Sequence, residues 1–387
     1  MGEQTVRKTY KFKVKPTPEQ ERMLDRAVML CRQVYNAALE QRREAYRMRG
    51  VSVSYYEQKA ELPGIKEAMP EYAAVNSQVL QDVVLRVDRA FQAFFRRVKA
   101  GETPGYPRFR GRTRYNSVTY PQVGEHGCAR LDNGFLVLSK IGRIAVRWSR
   151  PIRGTPKTVT VSQEADGWYV CVSCADVPVE PLPATGQETG IDLGLESFAT
   201  LADGTMIHNP RCYRTAERRL KTAQRRVSRR KKGSHRRRKA VQLLAKAHLK
   251  VKRQRQDFQH KAALRLVREY DTIYHENLQV GNMLKNHHLA KSIADAGWSA
   301  FLSILNHKAA CAGRSVVAVN PAYTSQTCSG CGAVVKKGLS VRWHACPGCG
   351  TSLHRDHNAA KNIERLGQSL RGGVALAASE NRESIGL

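Results

Sequence analysis

The sequence predicts an α+β protein of several domains, in which a β-domain interrupted by helices precedes an α/β domain with a cysteine-rich module. Three observations support this prediction. A strand-like alternation near the N-terminus is separated from further β runs by a long stretch of helical pattern. Beyond a proline-rich linker, strand-like apolar runs alternate with helical segments. Two Cys-x-x-Cys pairs then follow each other closely in the last quarter of the chain.

The N-terminal β-domain begins with a strand and is then interrupted by helices. Residues 5–15, TVRKTYKFKVK, alternate between apolar and basic side chains, as expected for a half-buried strand. The TPEQ segment at 17–20 combines an N-cap, a proline at the first helical position and a capping-box glutamine. Apolar residues then recur at helical spacing to about Arg49, which predicts one long helix.

A second helical block, at about residues 73–99, carries an apolar stripe and leads into a loop rich in glycine and proline at 101–111. This loop contains aromatic and basic side chains, namely Tyr106, Arg108, Phe109 and Arg110. Between about residues 115 and 177 the pattern changes to short β runs: GFLVLS, GRIAVRW, KTVTVSQ and GWYVCVSC. The β-domain is therefore expected to lie on both sides of the helices in sequence.

A linker with three prolines, residues 178–186, leads to the second half of the chain. The segment ETGIDLGLESFATLADGTMIHNP predicts three successive strands with an Asp-Gly hairpin turn at 203–204. The runs DTIYHENL and SVVAVN predict two further strands, separated by a helix near residues 295–312. A last helix is expected at about 356–366, and residues 367–387, rich in Gly, Ser and Ala, are expected to form a weakly ordered tail.

The composition indicates a polyanionic partner. Lys and Arg total 65 against 33 Asp and Glu, which gives a formal net charge of +32. Binding to nucleic acid is the simplest reason for a chain to tolerate the repulsion among so many positive charges. The alternatives are binding to a membrane surface and a highly basic structural role. No stretch resembles a transmembrane span, and the first residues lack the apolar core of a signal peptide. We therefore expect a soluble, cytoplasmic protein without membrane association.

The charge is concentrated in a helical region at about residues 211–270, which is broken near 232–234. Between residues 211 and 255 there are 20 Lys and Arg and one acid, Glu217. A charge run is usually only a solvated face, but this one keeps apolar residues at intervals and is denser than solubility requires. We expect a helical hairpin that tracks phosphates without reading bases. The side chains expected to contact nucleic acid are Arg225, Arg226, Arg229, Arg230, Lys231, Lys232, Arg236, Arg237 and Arg238.

Four of the ten cysteines form a metal-binding pattern. Cys-Ser-Gly-Cys-Gly and Cys-Pro-Gly-Cys-Gly each place two thiolates around a tight turn, and 14 residues separate the pairs. Four thiolates suit tetrahedral Zn²⁺ and leave no open coordination position, so we expect a structural role. Reactive or disulfide-bonded cysteines are the alternative, which a reducing compartment disfavours. The predicted zinc ligands are Cys328, Cys331, Cys346 and Cys349.

Three carboxylates lie at the edges of apolar elements that are far apart in the chain: Asp192, Glu276 and Asp356. Each alone is more often a cap or a surface charge. Asp192, however, is expected in the middle of an apolar strand, where an unpaired carboxylate is costly. Carboxylates at adjacent strand ends and at a helix start can share two Mg²⁺ ions, or Mn²⁺ in their place, roughly 4 Å apart for phosphodiester hydrolysis. We therefore predict that the three acids form a catalytic metal site.

With these residues in view, the chain resembles the TnpB family, transposon-encoded RNA-guided DNA endonucleases related to type V CRISPR nucleases. The resemblance covers nearly the whole length, through the YKFKVKPTPEQ opening, SRRKKGS, DAGW, the cysteine pairs and RDHNAAKNI. It implies an N-terminal β-barrel-like wedge domain with a helical recognition insert. It also implies a RuvC-like, RNase H-type nuclease domain with split acids Asp192, Glu276 and Asp356 and a zinc ribbon before the last acid.

The resemblance also implies domain boundaries and partners. The expected domains are residues 1–16 and 112–180 (wedge-type β-domain), 17–111 (helical recognition domain), 187–325 and 353–366 (nuclease domain), 326–352 (zinc ribbon) and 367–387 (flexible tail). The family binds a guide RNA derived from the transposon end and cleaves double-stranded DNA that matches the guide, next to a short target-adjacent motif. By match to family segments, the residues expected to face the target-adjacent duplex are Tyr55, Gln81 and Thr119.

The leading function is therefore an RNA-guided, Mg²⁺-dependent DNA endonuclease. One alternative is a guided DNA-binding repressor without efficient cleavage, and the presence of all three acids argues against it. The other is an unguided RNase H-fold enzyme, such as a resolvase or a transposase. The large helical insert and the basic hairpin exceed what a minimal nuclease of that kind needs.

Overall fold

A computed structural model of the protein describes residues 4–132, 134–338 and 341–383. The described chain forms two compact units, here called unit 1 and unit 2, which are separated in sequence after Pro178. Unit 1 combines an antiparallel sheet with helices, and unit 2 combines a mixed sheet with helices and a small cysteine-rich module. The predicted α+β multidomain class is therefore confirmed. None of the helices in these described ranges is long and apolar enough to cross a lipid bilayer.

Unit 1 is built around a curled, seven-stranded antiparallel sheet. Its strands, in chain order, are β1 (Thr5–Lys15), β2 (Ser117–Tyr120), β3 (Ala129–Asp132), β4 (Phe135–Leu138), β5 (Gly142–Arg147), β6 (Thr155–Glu164) and β7 (Gly167–Pro178). Their spatial order is β2-β6-β7-β1-β5-β4-β3, and each neighbouring pair is antiparallel. Strand β1 therefore lies in the middle of a sheet whose other strands all follow the helices in sequence.

Strand β1 forms because its apolar and basic side chains alternate. Tyr10, Phe12 and Val14 are buried in the core of unit 1, while the intervening lysines lie on the opposite face. The Lys11 ammonium lies 4.6 Å from the centre of the Tyr169 ring, so this outer face has its own cation–π contact. A register shift by one residue would exchange the two faces, and the alternation therefore specifies the pairing.

A set of helices connects β1 to β2: α1 (Pro18–Arg49), α2 (Tyr55–Ala60), α3 (Leu62–Ala68), a 3₁₀ turn (Pro70–Ala74) and α4 (Ser77–Lys99). Helix α1 has the predicted capping box, in which the Thr17 side chain accepts a hydrogen bond from the Gln20 N–H. It ends at Gly50, whose φ of 65° only glycine adopts without strain. The sequence does not predict α2 and α3, because helices of six and seven residues are too short to show a helical period.

Unit 2 contains a five-stranded mixed sheet and a two-stranded one. The larger sheet comprises β8 (Glu188–Asp192), β9 (Ser197–Leu201), β10 (Met206–His208), β11 (Thr272–Glu276) and β12 (Ser315–Val319). Its spatial order is β10-β9-β8-β11-β12, with β8, β11 and β12 parallel and the β8-β9-β10 meander antiparallel. Parallel pairing brings the carboxyl ends of β8, β11 and β12 to one edge of the sheet.

The remaining described elements of unit 2 are six helices and the small sheet of the cysteine-rich module. The helices are α5 (Cys212–Ser228), α6 (His235–Glu269), α7 (Val280–Met283), α8 (Ala290–Ala296), α9 (Trp298–Cys311) and α10 (Arg355–Glu383). The small sheet pairs β13 (Trp343–Ala345) with β14 (Ser352–His354). Phe198 of β9 packs edge-on against Phe258 of α6 and Phe301 of α9, which fixes these two helices on the sheet.

Helix α10 approaches the sheet closely at two glycines. A Cβ atom on Gly190 of β8 would lie 2.2 Å from the Ala360 carbonyl oxygen and 2.6 Å from the Glu364 amide nitrogen. A Cβ atom on Gly367 of α10 would lie 1.9 Å from the ring of Tyr274 in β11. Both contacts exclude any side chain, so the two glycines set the distance between the helix and the sheet.

The sequence predicted that this helix ends near residue 366, and that prediction is wrong, because α10 continues to Glu383. Contacts beyond the predicted end explain the difference. The Arg371 guanidinium donates to the Thr272 hydroxyl (2.8 Å) and forms an ion pair with Glu188, whose carboxylate also accepts a 2.9 Å hydrogen bond from the Tyr274 hydroxyl. The first residues of the predicted tail are therefore helical and anchored to the sheet. Residues 384–387 of that tail lie outside the described residues.

Candidate functional site

The three predicted catalytic acids come from elements that meet at the carboxyl edge of the five-stranded sheet. Asp192 is the last residue of β8 and Glu276 is the last residue of β11. These strands pair in parallel with Ile191 opposite His275, so the two acids leave neighbouring strands at the same level. Asp356 lies in the first turn of α10, the helix that packs on β8. Asp192 was expected inside a strand, and the structure places it at the strand's end instead.

The electrostatics of these acids follow from burial and mutual repulsion. Burial, followed by the negative charges of Glu276 and Asp356, raises the pKa of Asp192 well above its ordinary value, and only the charge of Arg355 opposes this. Burial also raises the pKa of Glu276, although a hydrogen bond from the Thr324 hydroxyl lowers it in part. The charges of Glu276 and Asp356 therefore act on Asp192 and destabilise its charged form. A bound cation would relieve that repulsion.

The donor set fits hard divalent cations such as Mg²⁺ or Mn²⁺, which prefer carboxylate oxygens. The three acids are nevertheless less tightly grouped than the four cysteines. Of all groups of three or more candidate ligands among the described residues, only the cysteines have donor atoms within 4.8 Å of one another. Mutual repulsion favours wider spacing of charged oxygens, and two ions about 4 Å apart require it.

Asp356 is positioned by the first turn of α10 and by the loop after β8. Its backbone N–H lies 3.3 Å from the His354 Nδ1, and a carboxylate in the first helical turn is favoured by the helix dipole. A Cβ atom on Gly194 would lie 3.6 Å from the Asp356 Oδ2 and 2.9 Å from the Ser197 carbonyl oxygen. Arg355 points towards the cysteine module, where it donates to the Gly338 carbonyl oxygen at 2.9 Å.

Two buried asparagines of α10 were not predicted from the sequence as functional residues. Asn358 donates to the Thr327 carbonyl oxygen (2.7 Å) and accepts from the Ser329 N–H (2.9 Å). Asn362 donates to the carbonyl oxygens of Thr324 (2.8 Å) and Thr327 (2.6 Å). They bind the loop that carries Thr324 and leads to the first cysteine pair, so one helix supports both candidate metal sites. The signal available in the sequence was their spacing of four residues, which places both side chains on one face of the helix.

The four predicted zinc ligands form a tight cluster. The Cys328 and Cys349 sulfurs are 3.7 Å apart, those of Cys331 and Cys346 are 3.6 Å apart, and all four lie within 4.8 Å of one another. Tetrahedral zinc with Zn–S bonds of about 2.3 Å requires sulfur–sulfur distances of about 3.8 Å, whereas a disulfide requires about 2.0 Å. All ten cysteines are free thiols. The module is therefore compatible with a zinc ribbon.

Hydrogen bonds prepare two of these thiols to be thiolates. The Thr351 side chain and backbone lower the pKa of Cys349 to about 6. Burial raises the pKa of Cys328, but bonds from the Cys331 backbone, His344 and the Gly330 backbone outweigh it and lower the pKa to about 7. Metal binding requires thiolates, so the environment favours the ligand form at Cys328 and Cys349. At Cys331 a backbone hydrogen bond lowers the pKa, but the neighbouring cysteines outweigh it and raise the pKa to about 11.

The basic segment forms the predicted helical hairpin, with α5 and α6 packed together. Most of the predicted phosphate-binding side chains are exposed on it: Arg225, Arg226, Arg229, Lys231, Lys232, Arg236 and Arg238. Arg230 is half-buried. Arg237 has a structural contact that the sequence did not predict, because its guanidinium donates to the carbonyl oxygens of Val227 (2.7 Å) and Arg230 (3.0 Å) and so caps the end of α5.

The start of the hairpin is held by Asp295, another residue that sequence reasoning missed although the DAGW segment contains it. Its buried carboxylate accepts hydrogen bonds from the backbone N–H groups of Tyr213 (2.8 Å) and Arg214 (3.2 Å) and pairs with Arg255 (2.9 Å). Asp295 therefore caps α5 from outside and ties it to α6. Its role is to orient the hairpin.

The three residues expected to face a target-adjacent duplex lie on neighbouring elements of unit 1. Tyr55 is on α2, Gln81 is on α4 and Thr119 is on β2, and α4 packs against both other elements. All three are half-buried. The Thr119 hydroxyl accepts a 2.6 Å hydrogen bond from Arg86 and lies 2.9 Å from the Thr160 hydroxyl, so it belongs to an internal network. Their role in binding DNA stays a prediction.

Three protein-family models match parts of the chain. They are described as "Helix-turn-helix domain" at residues 1–50, "Probable transposase" at 159–287 and "Cas12f1-like, TNB domain" at 298–363. The first description does not suit the fold, because residues 4–50 form strand β1 and the single helix α1. The last match covers the cysteine module and Asp356.

Curated relatives align with most of the chain. A Streptomyces pristinaespiralis protein named "Putative RNA-guided DNA endonuclease" is 38% identical over 373 residues, which is 94% of this chain and 90% of that protein. An Escherichia coli (strain K12) protein, "Putative RNA-guided DNA endonuclease InsQ", is 30% identical over 93% of this chain and 92% of its own length. A mimivirus protein of Acanthamoeba polyphaga mimivirus, "TnpB-like protein L79", is 27% identical over 57% of this chain and 45% of its own.

Solved structures share the fold at low sequence identity. The Cas12f1 chain in a cryo-EM structure of the Cas12f1–sgRNA–target DNA complex superposes with a TM-score of 0.55 at 12% identity, covering 93% of this chain and 99% of that one. The mini-RNA-guided endonuclease CRISPR-Cas_phi3 gives a TM-score of 0.50 at 11% identity, covering 94% and 92% of the two chains. The architecture of both units therefore has solved counterparts.

Proposed function

This chain belongs to the TnpB family, and from that premise we propose that it is an RNA-guided DNA endonuclease. It binds a guide RNA derived from the transposon end and cleaves double-stranded DNA complementary to that guide, next to a short target-adjacent motif. In a prokaryote this takes place in the cytoplasm. The observation that carries the proposal is the meeting of Asp192, Glu276 and Asp356, whose charges act on one another at one edge of the sheet.

The three acids are proposed as the ligands of two divalent metal ions, Mg²⁺ or Mn²⁺. When bound, such ions activate the attacking water and stabilise the leaving oxygen of a phosphodiester. The Thr324 hydroxyl orients Glu276 by donating a hydrogen bond to its carboxylate. The positive charge of Arg355 partly offsets the negative charge at Asp192. No nucleophilic side chain is required, because water is the attacking group.

The four cysteines are proposed to hold a structural Zn²⁺. Their four sulfurs fill a tetrahedral shell and leave no position for a substrate. The zinc module would hold the loop at residues 324–329. Helix α10 also holds this loop, through hydrogen bonds of Asn358 and Asn362. Because Thr324 lies in that loop, zinc would support the orientation of Glu276 without taking part in the reaction.

The hairpin of α5 and α6 is proposed to bind phosphates of the RNA and DNA. Its exposed Lys and Arg side chains are suited to counterion release, so affinity should fall steeply with salt. Arg237 is proposed to contribute less to this role than its neighbours, because its Nη1 donates to the carbonyl oxygens of Val227 and Arg230. Tyr55, Gln81 and Thr119 are proposed to lie near the target-adjacent duplex, while base pairing with the guide supplies sequence specificity.

Plasmid cleavage tests the proposed metal site. The full chain is expressed with its own transposon end, and the purified complex is given Mg²⁺ and a plasmid that matches the guide. Asp192→Asn should slow cleavage roughly 1000-fold, because a group that acts on the reacting atoms is removed. Asp257→Asn is the matched control, since Asp257 is an exposed acid of the same unit, and it should cleave like the wild type. Equal cleavage by Asp192→Asn and the wild type would overturn the assignment.

Sequencing the RNA that copurifies with the chain tests guide dependence. One discrete RNA that includes the transposon end is expected. A random mixture of RNA lengths and sequences would overturn the guided function and favour the unguided nuclease. Specific binding of a matching plasmid by the wild-type complex, without any cleavage in Mg²⁺ or Mn²⁺, would instead identify a guided repressor.

A further inference from the structure

A loop of unit 1 that the proposed function does not use is held in a defined conformation. Residues 101–111 lie outside helices and strands, yet they are fixed to α1 by a pair of hydrogen bonds. The Asn36 side-chain amide donates to the Arg110 carbonyl oxygen (3.1 Å) and accepts from the Arg110 N–H (2.8 Å). Pro107 is buried. The loop is therefore preorganised, because the Arg110 backbone is hydrogen-bonded to α1 and the Pro107 side chain is buried.

This loop presents two aromatic rings beside an arginine of α1. The Arg43 guanidinium carbon lies 5.8 Å from the centre of the Tyr106 ring and 5.2 Å from that of Phe109. Tyr106 packs edge-on against Phe91 and Phe94 of α4, with ring centres 5.7 and 5.2 Å away. Both loop rings are nevertheless 44% exposed. We call Arg43, Tyr106 and Phe109 the aromatic platform.

The surroundings of the aromatic platform are strongly basic. Residues 89–114 include eight Lys and Arg and one acid, Glu102. Arg108 and Arg110 are exposed on the loop itself, and Arg112 is exposed directly after it. Exposed aromatic residues alone need no functional explanation. Ring faces held rigidly among guanidinium groups are different, because unpaired bases stack on the rings while their phosphates meet the positive charges.

We propose that the aromatic platform binds single-stranded RNA, with unpaired bases stacked on Tyr106 and Phe109 and neighbouring phosphates bound by the arginines. The inference rests on the proposed function, which supplies an RNA that stays bound throughout the reaction cycle. Unpaired loops and ends of RNA offer free base faces, whereas the bases of a duplex already stack on one another. The platform should therefore distinguish single-stranded from double-stranded RNA.

Fluorescence anisotropy with the full-length chain, purified free of RNA, tests this binding. The probes are a short fluorescein-labelled oligouridine RNA, an RNA duplex and an oligodeoxythymidine of the same length. Phe109→Ala should weaken oligouridine binding about ten-fold and leave duplex binding unchanged, since one base–aromatic stack is lost. Phe109→Tyr keeps a ring and should bind like the wild type. Tyr56→Ala is the matched control, because Tyr56 is 76% exposed in the same unit but lies outside the platform.

Three results would overturn the proposal. Phe109→Ala could bind oligouridine as tightly as the wild type, or it could weaken duplex binding equally, which would indicate a loss of charge or fold rather than of stacking. Tighter wild-type binding of the oligodeoxythymidine, lost in Phe109→Ala, would assign the platform to single-stranded DNA. A thermal-unfolding midpoint equal to that of the wild type excludes a folding defect, since Phe109 is partly exposed.

This test is independent of DNA cleavage. Asp192→Asn, which should slow cleavage roughly 1000-fold, should bind oligouridine like the wild type, because Asp192 ends β8 and belongs neither to the aromatic platform nor to the basic hairpin. Photo-crosslinking of the RNA in the purified complex, followed by mass spectrometry, gives a second measurement. Crosslinks at Tyr106 or Phe109 support the proposal, and crosslinks confined to other residues overturn it.

Discussion

The two candidate metal sites of unit 2 are assembled in opposite ways. The cysteine sulfurs come from two tight turns within residues 328–349 and lie within 4.8 Å of one another. The carboxylates come from two strand ends and a helix start spread over residues 192–356. Burial, followed by the charges of the other two acids, raises the pKa of Asp192. A local site can be closed and tight, as a structural metal requires. A site whose residues are far apart in the chain depends on how a sheet and a helix pack. Its neighbouring carboxylates act on Asp192 with a repulsion that a bound cation relieves.

The two sites are also connected. Helix α10 begins with Asp356 and, two residues later, contributes Asn358, which binds the loop before the first cysteine pair. A substitution that disrupts one site should therefore affect the two sites to different extents. The zinc module should survive a change in the packing of the helix on the sheet, because its own turns hold the sulfurs. The carboxylate site should not.

Loss of a zinc ligand should have the largest effect. Cys346→Ser leaves three sulfurs, and structural zinc contributes on the order of 10 kcal/mol to the folding of small zinc modules. We expect loss of stoichiometric zinc by elemental analysis and fast amide hydrogen exchange across residues 326–338 and 341–352. Cys311→Ser, at a cysteine outside the cluster, should retain one zinc per chain. One zinc retained in Cys346→Ser would contradict the four-sulfur assignment.

Displacement of α10 should have the second-largest effect. Gly190→Ala places a Cβ atom 2.2 Å from the Ala360 carbonyl oxygen, and a backbone clash of this kind should lower the free energy of unfolding by about 3 kcal/mol. Cleavage should fall with it, because Asp356 moves away from Asp192, while zinc content stays unchanged. Gly281→Ala is the control, since its Cβ atom would meet nothing within 4 Å. Unchanged cleavage by a folded Gly190→Ala protein would disprove the dependence of the acids on this contact.

Removal of one charge should have the smallest effect, with the opposite sign. The pKa of Asp192 is raised in the folded state, so its contribution to stability is present below the unfolded value of about 3.9 and is lost as pH rises through the folded pKa. In Mg²⁺-free buffer near neutral pH, Asp192→Asn should therefore be more stable than the wild type, by about 1 kcal/mol.

A pH series of thermal-unfolding midpoints measures this difference. The advantage of Asp192→Asn should shrink as the pH falls towards about 4, where the wild-type carboxyl is protonated. Added Mg²⁺ should stabilise the wild type more than Asp192→Asn. Asp257→Asn should show neither trend, because Asp257 is exposed and paired with Lys261. A less stable Asp192→Asn protein in the absence of Mg²⁺ would show that burial and repulsion together do not destabilise the charged Asp192 carboxylate.

Local signals in the sequence predicted much of the fold. The alternation at residues 5–15 and the capping box at Thr17 and Gln20 predicted β1 and the start of α1, because strand faces and helix starts depend on neighbouring residues. The Asp-Gly turn at residues 203–204 was predicted for the same reason. The cysteine spacing predicted the cluster, since each pair needs only one tight turn to bring two sulfurs together.

Other features could not be predicted because they depend on contacts between distant residues. The helix beyond residue 366 has a composition typical of a tail, but Arg371 binds Glu188 and Thr272 of the sheet. Arg237 belongs to a basic run and resembles its neighbours in sequence, yet its guanidinium caps α5. Which arginine of such a run has a structural contact is decided by the geometry of the turn.

The sequence by itself determined strand β1, the start of α1 and the sulfur cluster, because each is specified by residues close together in the chain. It also singled out the three acids, whose catalytic role stays a prediction. Only the tertiary structure decided that Asp192 and Glu276 end adjacent parallel strands and that Asp356 reaches them from α10. That arrangement depends on strand register and on the close approach at Gly190, where any side chain would separate helix and sheet. Strand register and the distance between helix and sheet are properties of packed surfaces, and no single stretch of sequence contains them.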